Sequence, residues 1–125
     1  MFACYLAGPA WRAGRLPSAL IHRWAGSREV CWRRAALVST VPLNVRAQGG
    51  EGDPDRTLAV CRLLLGDRED LVVKAMSWAL RCLVAWDAPG LRRFLARHQR
   101  ELAPRVLREV HHKLEIGLKN PRRHA

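Results

Sequence analysis

On a helix of 3.6 residues per turn, Lys74, Trp78 and Arg81 fall at i, i+4 and i+7 and share one face. An indole between two cations is a platform for a nucleobase or sugar, with the cations placed to hold phosphates. The competing reading makes Trp78 a core residue at a helix seam, with Lys74 and Arg81 extending their charged ends into water. The rest of the helix weakens that alternative. Val72, Met76, Ala79 and Leu83 already form an apolar stripe at i, i+4, i+7 and i+11, and Trp78 lies off its centre. A second basic pair, Arg33-Arg34, follows Trp32. Successive helical residues point about 100° apart, so one of the two shares a face with a groove while the other turns to solvent or an acidic neighbour.

Other chemistries find little support. His111 and His112 diverge if helical, and no third ligand stands at i+3 or i+4, so they read as surface residues and no metal site is expected. No Ser/His/Asp set and no close carboxylate pair stands out. The Gln48–Asp53 loop is rich in glycine but lacks the Lys-Ser/Thr that follows a phosphate-binding loop, which makes it a helix connector. Trp11, Trp24 and Trp86 lack the basic spacing around Trp78 and read as packing residues. No cofactor is expected.

The charge balance suits a polyanionic partner. Among 125 residues, 22 Lys and Arg stand against 11 Asp and Glu, a formal charge of +11. The excess is spread along the chain, with nine cations against four carboxylates in residues 1–66 and thirteen against seven in residues 67–125. A folded, 49% hydrophobic chain with cations along its whole length most often meets nucleic acid. Cys4, Cys31, Cys61 and Cys82 form no CxxC pair, which argues against zinc or a disulfide framework and accords with a reducing, cytoplasmic compartment. Three of them fall in apolar helical segments and are expected to be buried. No run approaches the ~18 apolar residues of a membrane span.

Ala, Leu and Arg fill long segments bounded by Gly, Pro, Asp or Ser, and β-branched alternation is almost absent, so the fold class is all-α. Helices are expected over Pro17–Ala25, Glu29–Val41, Pro54–Leu65, Glu69–Ala85, Ala88–His98 and Pro104–Gly117, with a weaker turn near Phe2–Leu6. They form one domain over residues 1–119, with helix pairs at about 17–41, 54–85 and 88–117 and a basic tail at 120–125. The pairs repeat. Gly26-Ser27-Arg28-Glu29 and Gly66-Asp67-Arg68-Glu69 introduce two second helices at an offset of 40 residues, which aligns Arg34 with Lys74 and Val38 with Trp78. At an offset of 35, Pro104–Lys113 falls on Glu69–Trp78, with Lys113 under Trp78. Such a period marks a HEAT-like α-solenoid of about three helix pairs, whose second helices line a shared groove.

Trp32-Arg33-Arg34-Ala35-Ala36-Leu37-Val38, then Val73-Lys74-Ala75-Met76-Ser77-Trp78-Ala79-Leu80-Arg81, then a Lys113–Leu118 run ending Lys119-Asn120-Pro121, resemble the AlkD-like DNA alkylation repair enzymes from Phe2 to Arg122. The resemblance implies a monomeric DNA glycosylase that binds duplex DNA with alkylated purines and releases N3- or N7-alkylated bases. Arg34 looks like the family's arginine on the DNA backbone near the lesion, and Trp78 like the aromatic residue against the damaged nucleotide. Lys74 and Arg81 extend that face by helix geometry. The family's catalytic aspartate, in a Trp-x-x-x-Asp element, has no counterpart, since residues 1–28 contain no Asp or Glu. That aspartate is expected upstream of Met1. The chain therefore resembles the C-terminal part of such an enzyme, with DNA-binding residues and no catalytic residue of its own. A different class remains open on these residues: a non-catalytic helical scaffold for RNA or acidic proteins.

Overall fold

The computed structural model describes residues 6–120. The turn expected near Phe2–Leu6, the tail at 120–125 and Cys4 lie outside them, apart from Leu6 and Asn120. Met1 also lies outside the described residues, so the expectation of a catalytic aspartate ahead of it has no structural counterpart here. The described residues are all-helical, without strands: α1 (Gly8–Arg12), α2 (Ser18–Ala25), α3 (Val30–Val38), α4 (Val41–Asn44), α5 (Pro54–Leu63), α6 (Asp70–Arg81), α7 (Val84–Arg97) and α8 (Pro104–Ile116). A single 3₁₀ turn, Arg46–Gln48, lies between α4 and α5.

Local chemistry sets the helix limits. Asp53 caps α5 by accepting the Arg56 N–H at 3.0 Å, with Pro54 at the first helical position, where no N–H is needed. Gly117, at φ 74°, closes α8 in the left-handed conformation that glycine adopts freely. The expected Glu29–Val41 helix stops at Val38 because the Ser39 and Thr40 hydroxyls donate back to the carbonyls of Ala35 and Leu37, each at 2.7 Å. The expected Glu69–Ala85 helix stops at Arg81. The backbone then turns, and the Trp86 indole donates to the Asn44 carbonyl at 2.7 Å. Asp87 breaks α7 at φ −153° and caps its second segment by accepting the Gly90 N–H at 3.0 Å, and that segment is the expected Ala88–His98 helix.

The sequence repeat has a counterpart in geometry. Ser27 Oγ accepts the Glu29 N–H at 3.1 Å, and Asp67 Oδ1 accepts the Glu69 N–H at 3.0 Å, so both second helices start from the same kind of side-chain turn. Neighbouring pairs are joined by arginines. Arg33 Nε donates to Asp67 Oδ2 at 2.7 Å, and Arg68 Nη2 donates to the Glu101 carbonyl at 2.8 Å, so each reaches the turn that precedes the next second helix. The second helices then lie side by side, with α6 packed between α3 and α8. Their facing sides make the core, in which Val72, Met76, Ala79 and Leu83 are all buried as their spacing predicts.

Three features depart from expectation. α1 is an additional helix, packed on α4, and it places Trp11 in the core with its carbonyl accepting from Arg56 at 3.0 Å. Trp11 and Trp86 do pack, but each also has an arginine over its ring, Arg56 at 5.1 Å and Arg46 at 4.8 Å. Of the cysteines expected to be buried, Cys61 is buried, and desolvation pushes its thiol pKa up to about 12. Cys31 is exposed and Cys82 half-buried.

Asn44 ties the connector to the core. Its Nδ2 donates to Thr57 Oγ1 at 2.8 Å, and its Oδ1 accepts the Asp53 N–H at 2.7 Å. Asn44→Ala strands the Asp53 N–H and removes the donor to the fully buried Thr57 hydroxyl, which keeps only its bond to the Asp53 carbonyl, and should cost about 1–2 kcal/mol of unfolding free energy. A urea titration reads this as a lowered midpoint at unchanged slope. An unshifted midpoint would show that the loop closes without this residue.

Candidate nucleic-acid interface

With α3 on one side and α8 on the other, α6 keeps only a strip of its surface open. Lys74 is exposed on that strip, and Trp78 and Arg81 are half-buried. Trp78 is packed against the core and lines two adjoining cavities. One, of about 390 Å³, is bounded by Lys74, Trp78, Arg81, Arg105, Glu109 and Lys119. The other, of about 550 Å³, is bounded by Trp78 and Arg81 together with Val45, Cys82, Val84 and Lys113. The two readings of Trp78 are therefore both partly met: it seals a seam, and it presents a ring beside cations.

Three of the four residues singled out from sequence, Lys74, Trp78 and Arg81, come together in the first cavity. Arg34 is half-buried on α3, the helix beside α6, and lines neither cavity. Its neighbour Arg33 pairs with Asp67. His111 is exposed, and His112 Nδ1 lies 3.0 Å from the Lys119 carbonyl oxygen.

Sequence reasoning missed the half of the site that α8 supplies. Glu109 is 3% exposed. Its Oε1 accepts the Ser77 hydroxyl at 2.7 Å, and its Oε2 accepts Arg105 Nε at 3.3 Å, with Lys119 Nζ at 4.0 Å. Ser77 is itself fully buried and accepts Arg81 Nε at 3.1 Å, so the carboxylate reaches Arg81 through one hydroxyl. At the rim, Asp70 holds Lys74 Nζ at 2.9 Å and Arg105 Nη1 at 3.3 Å. A signal for this existed: at the offset of 35, Asp70 and Lys74 on α6 align with Arg105 and Glu109 on α8, the same i, i+4 spacing with its charges reversed.

Burial by itself raises the Glu109 pKa, but hydrogen bonds from Ser77 and Arg105 and the charges of Arg105 and Lys119 outweigh it and hold the carboxyl below its ordinary value. For Arg81, desolvation lowers the guanidinium pKa and Glu109 opposes that shift. Asp70 is lowered too, chiefly by its hydrogen bond with Lys74. Among the described residues, no group of His, Cys, Asp and Glu is arranged to hold a metal ion, and no helix is long and apolar enough to cross a membrane.

The described residues form an all-helical protein with an aromatic and cationic strip along α6. The comparison with protein families makes this specific. A model of the DNA alkylation repair enzyme family matches residues 2–114, and the chain belongs to that family. Comparisons with curated proteins and with solved structures gave no match.

A carboxyl held below its unfolded value adds stability that is fully present above that value, about 4.3 for glutamate, and is lost as pH falls through the folded value. Stability measured by urea unfolding should therefore fall on acidification below about pH 4.5. Glu109→Gln should cost about 1–3 kcal/mol at neutral pH and flatten part of that acid limb. If the limb keeps its full slope in Glu109→Gln, Glu109 is not the group responsible.

Proposed function

We propose that the protein is a DNA-binding member of its family, in which helix pairs stack as a HEAT-like array and the α3, α6 and α8 row meets duplex DNA carrying alkylated purines. The observation that carries this reading is the placement of Trp78 between two cavities, with Lys74, Arg81 and Arg105 around one of them. Cations hold backbone phosphates, and the ring packs against the nucleotide that carries the lesion. Arg34, on the adjoining helix, extends the phosphate contact. The charge excess favours this face over an apolar partner, and the cellular setting is cytoplasmic.

Excision asks for more. An alkylated purine is cationic and leaves readily, so an AlkD-like glycosylase has mainly to stabilise an oxocarbenium-like sugar with a carboxylate. Glu109 does not offer one, since it is buried and both of its oxygens accept hydrogen bonds. The chain is therefore read as binding lesion-containing DNA, and no step of base release is assigned to Glu109.

Competition for the purified chain tests this. Duplex DNA carrying an abasic-site mimic should displace a bound probe more effectively than RNA or polyglutamate. If RNA or polyglutamate competes as well, the protein is instead a scaffold for those polyanions. Trp78→Ala should weaken the abasic duplex by about 1–3 kcal/mol and the intact duplex by less. Arg34→Ala should weaken both and lower the salt slope by about one unit. Equal losses on both duplexes for Trp78→Ala would remove the tryptophan from the lesion.

A further inference from the structure

Two carboxylates lie among the cations of α6 and α8, and burial separates them. Asp70, with its side chain 68% exposed, bridges Lys74 Nζ and Arg105 Nη1 at 2.9 and 3.3 Å. An exposed pair of this kind contributes little and is readily exchanged. Glu109 is enclosed, and it anchors each arginine at its Nε: Arg105 Nε donates to Oε2 directly, and Arg81 Nε donates to the Ser77 hydroxyl that in turn donates to Oε1. With Nε committed, each guanidinium loses freedom about its stem and keeps its Nη edge for another acceptor. For Arg105, that acceptor is Asp70.

The geometry points to opposite roles for the two carboxylates in phosphate binding: Asp70 occupies, in the free protein, the place of a phosphodiester group between Lys74 and Arg105, while Glu109 is a positioning residue that aims Arg81 and Arg105 at nucleic acid. This rests on the DNA-binding reading above. A phosphodiester presents two oxygens that accept the same forked donors as a carboxylate, so it can displace Asp70 without rearranging Lys74 or Arg105. It cannot displace Glu109, whose removal would leave Ser77 and the Nε edge of Arg105 without their acceptor. DNA then meets cations already held apart and already oriented. The entropy of ordering them is spent in folding and not in binding.

The two roles separate by sign. Asp70→Asn and Glu109→Gln each add one positive charge at nearly the same place. If net charge alone governed affinity, both would tighten duplex DNA. The inference expects Asp70→Asn to tighten a fluorescein-labelled duplex by about three- to fivefold, and Glu109→Gln to weaken it by about tenfold despite the added charge. In an Arg81→Ala background, Glu109→Gln should weaken binding by clearly less than in the wild type, because one of the groups it positions is gone. That coupling is a readout that loss of packing would not produce. Circular dichroism melts establish that the variants fold. Should Glu109→Gln fail to fold, Ser77→Ala, which cuts the link and keeps the carboxylate, carries the same expectation of weakening.

Tightening by both charge variants, or weakening by Asp70→Asn, overturns the assignment while leaving the DNA-binding reading intact. Failure of the wild-type chain to bind duplex DNA overturns both.

Discussion

Helix α6 has a neighbour on each side, and most of the site follows from that constraint. Between α3 and α8 it must present apolar side chains in two directions, which it does with Val72, Val73, Met76, Ala79 and Leu80, all buried. Only the strip carrying Lys74, Trp78 and Arg81 remains open. The same geometry drives Ser77 fully inside, where its hydroxyl needs partners. Glu109 supplies the acceptor, the charge of Glu109 requires cations, and Arg105 and Lys119 supply them. Packing on one face of a helix thus dictates the electrostatics on the next.

The ion pairs between α6 and α8 set relative position more than they add stability. Asp70–Lys74 and Arg105–Glu109 are i, i+4 pairs of opposite order on neighbouring helices, and Asp70–Arg105 joins them crosswise. Sliding one helix past the other by a turn would bring like charges together. Exposed members of such a lattice are worth little each, whereas the Ser77–Glu109 hydrogen bond is enclosed and costly to open. Arg33–Asp67 and Arg68–Glu101 act similarly between successive helix pairs, tying side chains of one repeat to the turn that begins the next second helix. The register of the row is therefore held at its edge by arginine and inside by apolar contact.

These relations divide the chain into what its sequence discloses and what it does not. The all-helical class, the buried stripe of α6 and the repeated turns at Ser27 and Asp67 are local or periodic, and spacing suffices to find them. So is the gathering of Lys74, Trp78 and Arg81, which lie on one helix. The role of α8 is different. Ser77 reads as an unremarkable small residue until its neighbour is known, and Glu109 reads as a solvated charge, because burial depends on which helix face meets which. Helicity stops at Val38 and Arg81, short of the expected ends, for a related reason: hydroxyl back-bonding and the Trp86–Asn44 contact outweigh helix propensity, and the second is long-range.

A cationic surface faces a conflict, because charges close enough to grip one phosphate repel one another while it is absent. Here the conflict is met inside the row. Four cations, Lys74, Arg81, Arg105 and Lys119, surround one cavity, and Glu109 lies among them. A carboxylate at the surface, as Asp70 is, offsets the repulsion but occupies the outer edges of the cations. Enclosed beneath the cations, Glu109 offsets the repulsion and leaves their outer edges available. Trp78 fits the same logic, since a side chain that packs against the core lends rigidity to the strip while it also borders both cavities. Rigidity supplied from below, by a core and a buried counter-charge, lets the open strip of α6 act as a surface.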